Sequence, residues 1–364
     1  MCFIVRKAQI LMFAFLIIAL LTYAQNQGAV STAHDCLETA REIEIVSGHF
    51  EEKFSAKTAP GKTFDARQAD FLNTRVKWGM ITVEGSRNDT GMCWVGGYIY
   101  TNKPWDASWA DHKDLDGPTR NSAAFNCASV NMTVNGLHYF NVHDGVRTSD
   151  AFNWVVEHNW GEYIRDDCVE NDHLHSGRIY DCLFDGCYTG ISTRPSNGDT
   201  GSDGAGELVE LDRVLLRLQT MPYPYKWQSK EGIIDADGKP YMGSGTPYGH
   251  GSFFKITDVD RNPHFSIKNS VFLADQLTEA SNFDFPPEDL IDVCESNIII
   301  WLGPGPYPGK LPTWKFPDGF DIVTGQEGRE LWQRKVNDWH ARHPDVGVNR
   351  KPDSSGNLAF PKTF

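Results

Sequence analysis

A block of this chain recurs without a gap. Val134-Asn-Gly-Leu-His-Tyr-Phe-Asn-Val-His-Asp-Gly-Val146 superposes on Ile179-Tyr-Asp-Cys-Leu-Phe-Asp-Gly-Cys-Tyr-Thr-Gly-Ile191 at an offset of 45 residues. The segment between them, Val156 to Cys168, falls in register with the first at an offset of 22 and with the second at 23. Each copy reads as a short strand, a turn centred on Asn, Asp or His, a second strand, and a polar pair leading into an apolar residue. A period this short leaves no room for a self-contained unit, because one copy cannot bury its own apolar face. Copies must stack, and the core then runs along an axis instead of gathering at a centre.

The same phase extends outward from these three copies. Leu211-Asp-Arg-Val-Leu-Leu216 and Ile267-Lys-Asn-Ser-Val-Phe272 repeat the pattern of Ile179 to Phe184, and Met80 to Val83 and Trp94 to Tyr100 look like earlier copies. Two stretches rich in Gly, Pro, Asp and Tyr, Pro195 to Gly206 and Gln219 to Gly249, read as loops inserted between copies. With 33 Gly and 19 Pro and few runs of strong helix formers, the composition favours an all-β chain. These features predict a single-stranded right-handed parallel β-helix, with helical caps covering the open ends of the stack. His34 to Val46 is periodic enough for one cap. Thr324 and Glu327 have capping-box spacing, and Leu331, Trp332, Val336 and Trp339 form the apolar stripe of the other.

Residues 1–24 have the three regions of a secretory signal peptide: Arg6 and Lys7, an apolar run from Ile10 to Leu21, then Thr22-Tyr23-Ala24 before the expected cut. The apolar run is too short to span a bilayer as a helix, so the mature chain is expected to be secreted, extracellular or periplasmic, with no integral membrane segment. The division that follows is a signal peptide at 1–24, an N-terminal segment with a cap helix at 25–75, the β-helix with its loops at 76–302, and a tail with a cap helix at 303–364. Nothing suggests self-association, and the chain is expected to be a monomer. Beyond Cys2 there are seven cysteines, an odd number, with no CxxC or Cys/His metal spacing. Cys168 and Cys182 fall on core-like positions, and buried free thiols are expected.

A net charge of -14 without any basic run excludes a nucleic-acid partner. An acidic polysaccharide remains compatible if a local basic groove or a bridging cation receives it. Charged side chains concentrate in the three best copies: His143, Asp144, Arg147, Asp150, Arg165, Asp166, Asp167, Glu170, Asp172, His173, His175, Arg178 and Arg194. Taken at an offset of 22, the repeat places Asp144 beside Asp166, His143 beside Arg165 and Asp150 near Asp172. The same copies and loops carry Trp154, Trp160, Tyr163, Tyr188, Tyr223, Tyr225 and Trp227, ring systems on which sugars stack.

The elements Asp144-Gly145-Val146, Asp166-Asp167-Cys168-Val169 and Thr189-Gly190-Ile191 resemble the catalytic coils of polygalacturonases, pectin-hydrolysing members of the pectin lyase-like β-helix superfamily. That resemblance implies Asp144 as the family's first aspartate and Asp166 and Asp167 as its aspartate pair. His143 stands at the family's threonine, Thr189 at its histidine, and no Arg-x-Lys element follows at the matching distance; Gly249-His250-Gly251 occurs far downstream. Glycoside cleavage takes one carboxylic acid to protonate the leaving oxygen and one carboxylate to activate water, and crowding raises the proton affinity of one member. The catalytic candidates are therefore Asp166, Asp167 and Asp144. His143, Arg147, Arg165, Tyr188 and Arg194 are the candidates for binding a polysaccharide. No residues are assigned to a resident metal, and hydrolysis requires no cofactor. The alternatives are a lyase, in which Glu170, Asp172 and Asp166 hold calcium while Arg147 or Arg165 withdraws a proton, and a noncatalytic glycan-binding or adhesion solenoid.

Overall fold

A computed structural model describes residues 33–72, 78–86, 89–103, 122–128, 131–195, 201–222, 248–275 and 285–348. The expected signal peptide, the greater part of the loop at 219–249 and Tyr223, Tyr225 and Trp227 lie outside these residues. The chain is a parallel β-helix whose strands stack in three columns, each coil adding one short strand to a column. The first column is built on the ladder Phe64, Trp94, Val134, Val156, Ile179, Leu211, Ile267 and Cys294. The second carries Phe71, Ile99, Tyr139, Gly161, Phe184, Leu216, Phe272 and Ile299. The third carries Phe54, Ile81, Phe125, Val146, Val169, Ile191 and Phe254.

Nearly all these side chains belong to one continuous buried cluster, so the core is an axial stack of like on like. Each buried aliphatic or aromatic side chain contributes roughly 1.5–3 kcal/mol, and no single coil contributes enough to stand alone. One corner explains the recurring Asn, Asp and His. Between the first and second columns the chain turns through a left-handed residue in successive coils: Gly96, Gly136, His158, Asp181, Arg213, Asn269 and Ser296, all with φ between 45° and 71°. Short polar residues tolerate that conformation best apart from glycine. The position after it turns inward, where polar side chains satisfy backbone amides that the corner takes out of the ladder. The Asn159 side-chain oxygen accepts the Leu137 N–H at 2.9 Å, Ser270 Oγ accepts that of Val214 at 3.1 Å, and Asn297 Oδ1 that of Ser270 at 3.0 Å.

Both ends differ from the sequence expectation in detail. The N-terminal helix α1 covers Ala33–Thr39 only, and Glu42–Phe50 is a strand paired in parallel with Lys62–Leu72. Glu42-Ile43-Glu44-Ile45 alternates with period two and carries β-branched side chains, which favours a strand over further helix. The stack therefore starts upstream of residue 76, and it continues past 302 through Phe320–Thr324. The C-terminal helix α2, Gly325–Arg342, buries Trp332, Val336 and Trp339 against Leu183, Leu215, Val271, Leu273 and Ile300 on the outer side of the second column. Thr324 is its N-cap but makes no side-chain capping bond. Among the described residues no helix is long and apolar enough to cross a membrane.

The cysteines correct the expectation of free thiols for Cys168 and bear it out for Cys182. Cys36 is bonded to Cys93, tying α1 to a coil, and Cys168 to Cys187, with Cα atoms 6.0 and 6.4 Å apart. Their separation of 19 residues is shorter than a coil, so the repeat register does not place Cys168 and Cys187 opposite one another. Cys127, Cys182 and Cys294 are free and buried.

Asn297 offers a test of the inward polar positions, because its amide also donates to the Ile267 and Gly319 carbonyls at 2.9 and 3.2 Å. Replacing Asn297 with Ala leaves buried backbone groups without partners and is expected to cost about 3 kcal/mol in urea unfolding. A loss below about 0.5 kcal/mol would mean the corner needs no such support.

Candidate functional site

The third column gathers the charged residues. Its strand Asp144–Arg147 lies between Ser122–Ala128 and the end of Trp160–Glu170, and Leu183–Ser192 and Phe254–Lys255 follow. In register, one outer row reads Asn126, Arg147, Glu170, Ser192, Lys255. The offset of 22 does not hold here. It is kept in the second column, where Trp160 pairs with His138, but an irregularity between Ile164 and Asp167 adds one residue at the corner. Val146 consequently pairs with Val169, which sets Asp144 opposite Asp167 and not beside Asp166. The Asp166 N–H instead donates to the His143 carbonyl at 2.7 Å, and that of Arg165 to Val142 at 2.9 Å.

Four carboxyl groups from these coils meet two cations. Arg147 Nη2 donates to Asp144 Oδ2 at 2.7 Å, its Nε bonds Glu170, and its Nη1 donates to the Trp78 carbonyl at 3.0 Å. Lys255 Nζ donates to both oxygens of Asp167, at 3.1 and 2.9 Å, and lies 3.6 Å from Asp166 Oδ1. The Asp167 N–H reaches Asp144 Oδ1 at 3.4 Å, and His143 Nε2 lies 3.6 Å from Asp166 Oδ2. Asp144, Asp166, Asp167 and Glu170 are all buried. The cluster meets solvent at Lys255, with 22% of its side chain exposed, and at Trp78, 51% exposed, whose ring lies 5.8 Å from the Arg147 guanidinium.

Among the described residues, the four buried carboxyl groups outnumber the two cations that pair with them. Burial raises the pKa of Asp144 well above the ordinary carboxylate range, with Glu170 adding to the effect and Arg147 opposing it. Burial likewise raises Asp167; Lys255 opposes, while Asp166 and Glu170 add. For Arg147 burial works against the charge, but Glu170 and Asp144 outweigh it and hold its pKa above the usual value. The cluster therefore favours retention of a proton at Asp144 and Asp167 while Arg147 stays charged.

Other sequence candidates take different places. Arg165 is buried, its Nη1 3.0 Å from the Tyr163 hydroxyl and its guanidinium over that ring. Tyr188 is buried beside Tyr163 and Met221, and Arg194 is exposed at the end of its coil. His250 bonds the Gly251 carbonyl through Nδ1 and pairs with Asp275 at 3.3 Å, so its ring is engaged apart from the carboxylate cluster. Lys255 and Trp78 were not singled out from the sequence. Lys255 follows a long insertion that interrupts the period, and Trp78 adopts φ of 75°, an uncommon conformation for a bulky residue that no pattern announces. Donor atoms of His143, Asp144 and Asp166 lie within 4.8 Å of one another and are the groups here that a divalent cation would find. They fall short of the roughly six to eight oxygens calcium takes, and Glu170, named for calcium, is engaged by Arg147.

No family model matches the chain, and no curated protein or solved structure matches it significantly.

The raised Asp144 pKa has a signed consequence for stability. A carboxyl that binds its proton more tightly when folded contributes fully below the unfolded value of about 4, and that contribution is lost as pH rises through the folded value. Relative to Asp144→Asn, the wild-type protein is therefore expected to lose about 1.4 kcal/mol for each pH unit between those two values. Melting curves for both proteins at stepped pH check this; parallel stability profiles would show that Asp144 is not raised.

Proposed function

We propose that the chain is a secreted β-helix enzyme that cleaves a uronate-containing polysaccharide by acid/base glycoside hydrolysis. The observation that carries this reading is the excess, among the described residues, of carboxyl groups over cations in the third column, where the Asp167 N–H of one coil reaches the Asp144 carboxylate of the coil before it. A glycosidase needs one carboxyl that stays protonated near neutral pH and another that accepts a proton from water. Asp167, its pKa raised by burial, is the donor to the leaving oxygen. Asp166, flanked by Lys255 and His143, takes the proton from water. Asp144 positions Asp167 through its backbone amide and adds to the charge that keeps a proton in the cluster.

Substrate reaches such a site at its exposed margin. Lys255 offers an ammonium group to a uronate carboxylate, and the half-exposed indole of Trp78 offers a face on which a sugar ring stacks. Arg147, buried, acts on the cluster from behind rather than on the sugar, and Arg165 is packed on Tyr163.

A noncatalytic glycan-binding solenoid is the second reading, and one observation favours it: Arg147 and Lys255 are each engaged by two carboxyl groups, as in ion pairs that fasten coils together. Incubation with plant, algal and bacterial polysaccharides separates the possibilities. New reducing ends without ultraviolet absorbance are expected; added absorbance from unsaturated uronates would mean elimination, and binding with neither would mean no catalysis. Asp167→Asn and Asp166→Asn are expected to lower kcat by about 10²–10⁴, with folding checked by circular dichroism. Trp78→Ala is expected to raise KM about tenfold with a smaller change in kcat, as loss of a stacking contact of roughly 1.4 kcal/mol requires. Undiminished turnover in both aspartate variants would remove the catalytic assignment.

A further inference from the structure

Away from the carboxylate cluster, the C-terminal end of α2 meets the corner between the first and second columns. His158 and Asp181 hold that corner in successive coils, with φ of 53° and 45°. His343, the residue after the last turn of α2, comes down on them, its Nε2 3.1 Å from Asp181 Oδ2. The other Asp181 oxygen accepts Arg342 Nη2 at 2.9 Å, and its carbonyl accepts the Trp339 indole N–H at 2.8 Å. One donor atom from each of His158, Asp181 and His343 lies within 4.8 Å of the others, and all three side chains are buried.

His158 is the member this network leaves unexplained. Its ring is 2% exposed, stacks on His343 at 4.7 Å and meets Tyr180 edge-on, yet neither ring nitrogen has a hydrogen-bond partner. A buried imidazole left unsatisfied costs about 1–3 kcal/mol, so something polar belongs beside it. Two imidazoles and one carboxylate are a donor set for borderline divalent metals, and they offer far too few oxygens for calcium or magnesium.

We propose that His158, Asp181 and His343 bind a divalent transition metal of the Zn²⁺ type, which fastens α2 to two coils of the stack. Arg342 on the second Asp181 oxygen serves as the outer partner that orients the ligating carboxylate. Its charge and that of Arg213 lower the affinity without changing the donor set. The site shares no residue with the carboxylate cluster and does not depend on the hydrolytic reading.

The test uses the full chain after treatment with a chelator. Titration with Co²⁺ is expected to give one equivalent with visible ligand-field absorption of low-coordinate cobalt, displaced by Zn²⁺, and Zn²⁺ is expected to raise the melting temperature. His158→Gln and His343→Gln should each weaken binding at least about tenfold, whereas His143→Gln, which alters the other group of His and carboxylate side chains, should not. The His158 side chain makes no hydrogen bond in the structure, so its variant keeps the test informative if loss of His343 disturbs folding. Absence of metal binding by the wild-type chain, binding unchanged in His158→Gln, or binding lost only in His143→Gln would each overturn the proposal.

Discussion

The register between adjacent coils is the constraint on which everything else in this molecule rests. Parallel strands about 4.8 Å apart hold each side chain directly over its counterpart in the next coil. A shift of one residue therefore changes every neighbour beyond it. The single residue added between Ile164 and Asp167 shows the effect, because the second column keeps the spacing of the upstream coils and the third does not. That one residue brings Asp167 under Asp144 and Glu170 under Arg147, and so determines which charges touch.

The architecture could be read from the sequence because stacking demands the same residue class at the same phase. Val134, Val156 and Ile179 announce a ladder, and the structure keeps them as one. Corners were readable for the same reason, since only a few residue types tolerate a left-handed turn. Features that break the period were not. The slip near Arg165 follows a stretch that obeys the repeat and shifts the end of that coil by one residue, and the Cys168 to Cys187 bond runs diagonally across the register. Lys255 re-enters the third column after an insertion that erases its phase. At the N-terminus, local alternation at Glu42 to Ile45 outweighed a broader helical periodicity.

Of the candidate residues, Asp144, Asp166 and Asp167 do come together, with His143 and Arg147 beside them. Arg165 and Tyr188 are on the same coils but turn into packed surroundings, a distinction that spacing along the chain cannot make. Arg147 was expected to meet a sugar. Its position opposite Glu170 and three residues from Asp144 makes it a counter-ion instead, which follows from register and not from residue type.

A solenoid that used charge only to fasten its coils would alternate sign along each row, since like charges one strand apart repel. The outer row comes close to that rule, passing from Arg147 through Glu170 and Ser192 to Lys255. The neighbouring position violates it: Asp144 and Asp167 lie one strand apart, buried, and burial with the surrounding carboxyl groups raises the hold of each on a proton at some expense of stability near neutral pH. Packing gives no reason for that pair, because an amide at either position would satisfy the Lys255 or Arg147 contact with less repulsion. Adjacent coils thus keep two buried carboxyl groups one strand apart, at a margin marked by an exposed tryptophan with left-handed backbone, an arrangement that costs stability and that fastening the coils does not require.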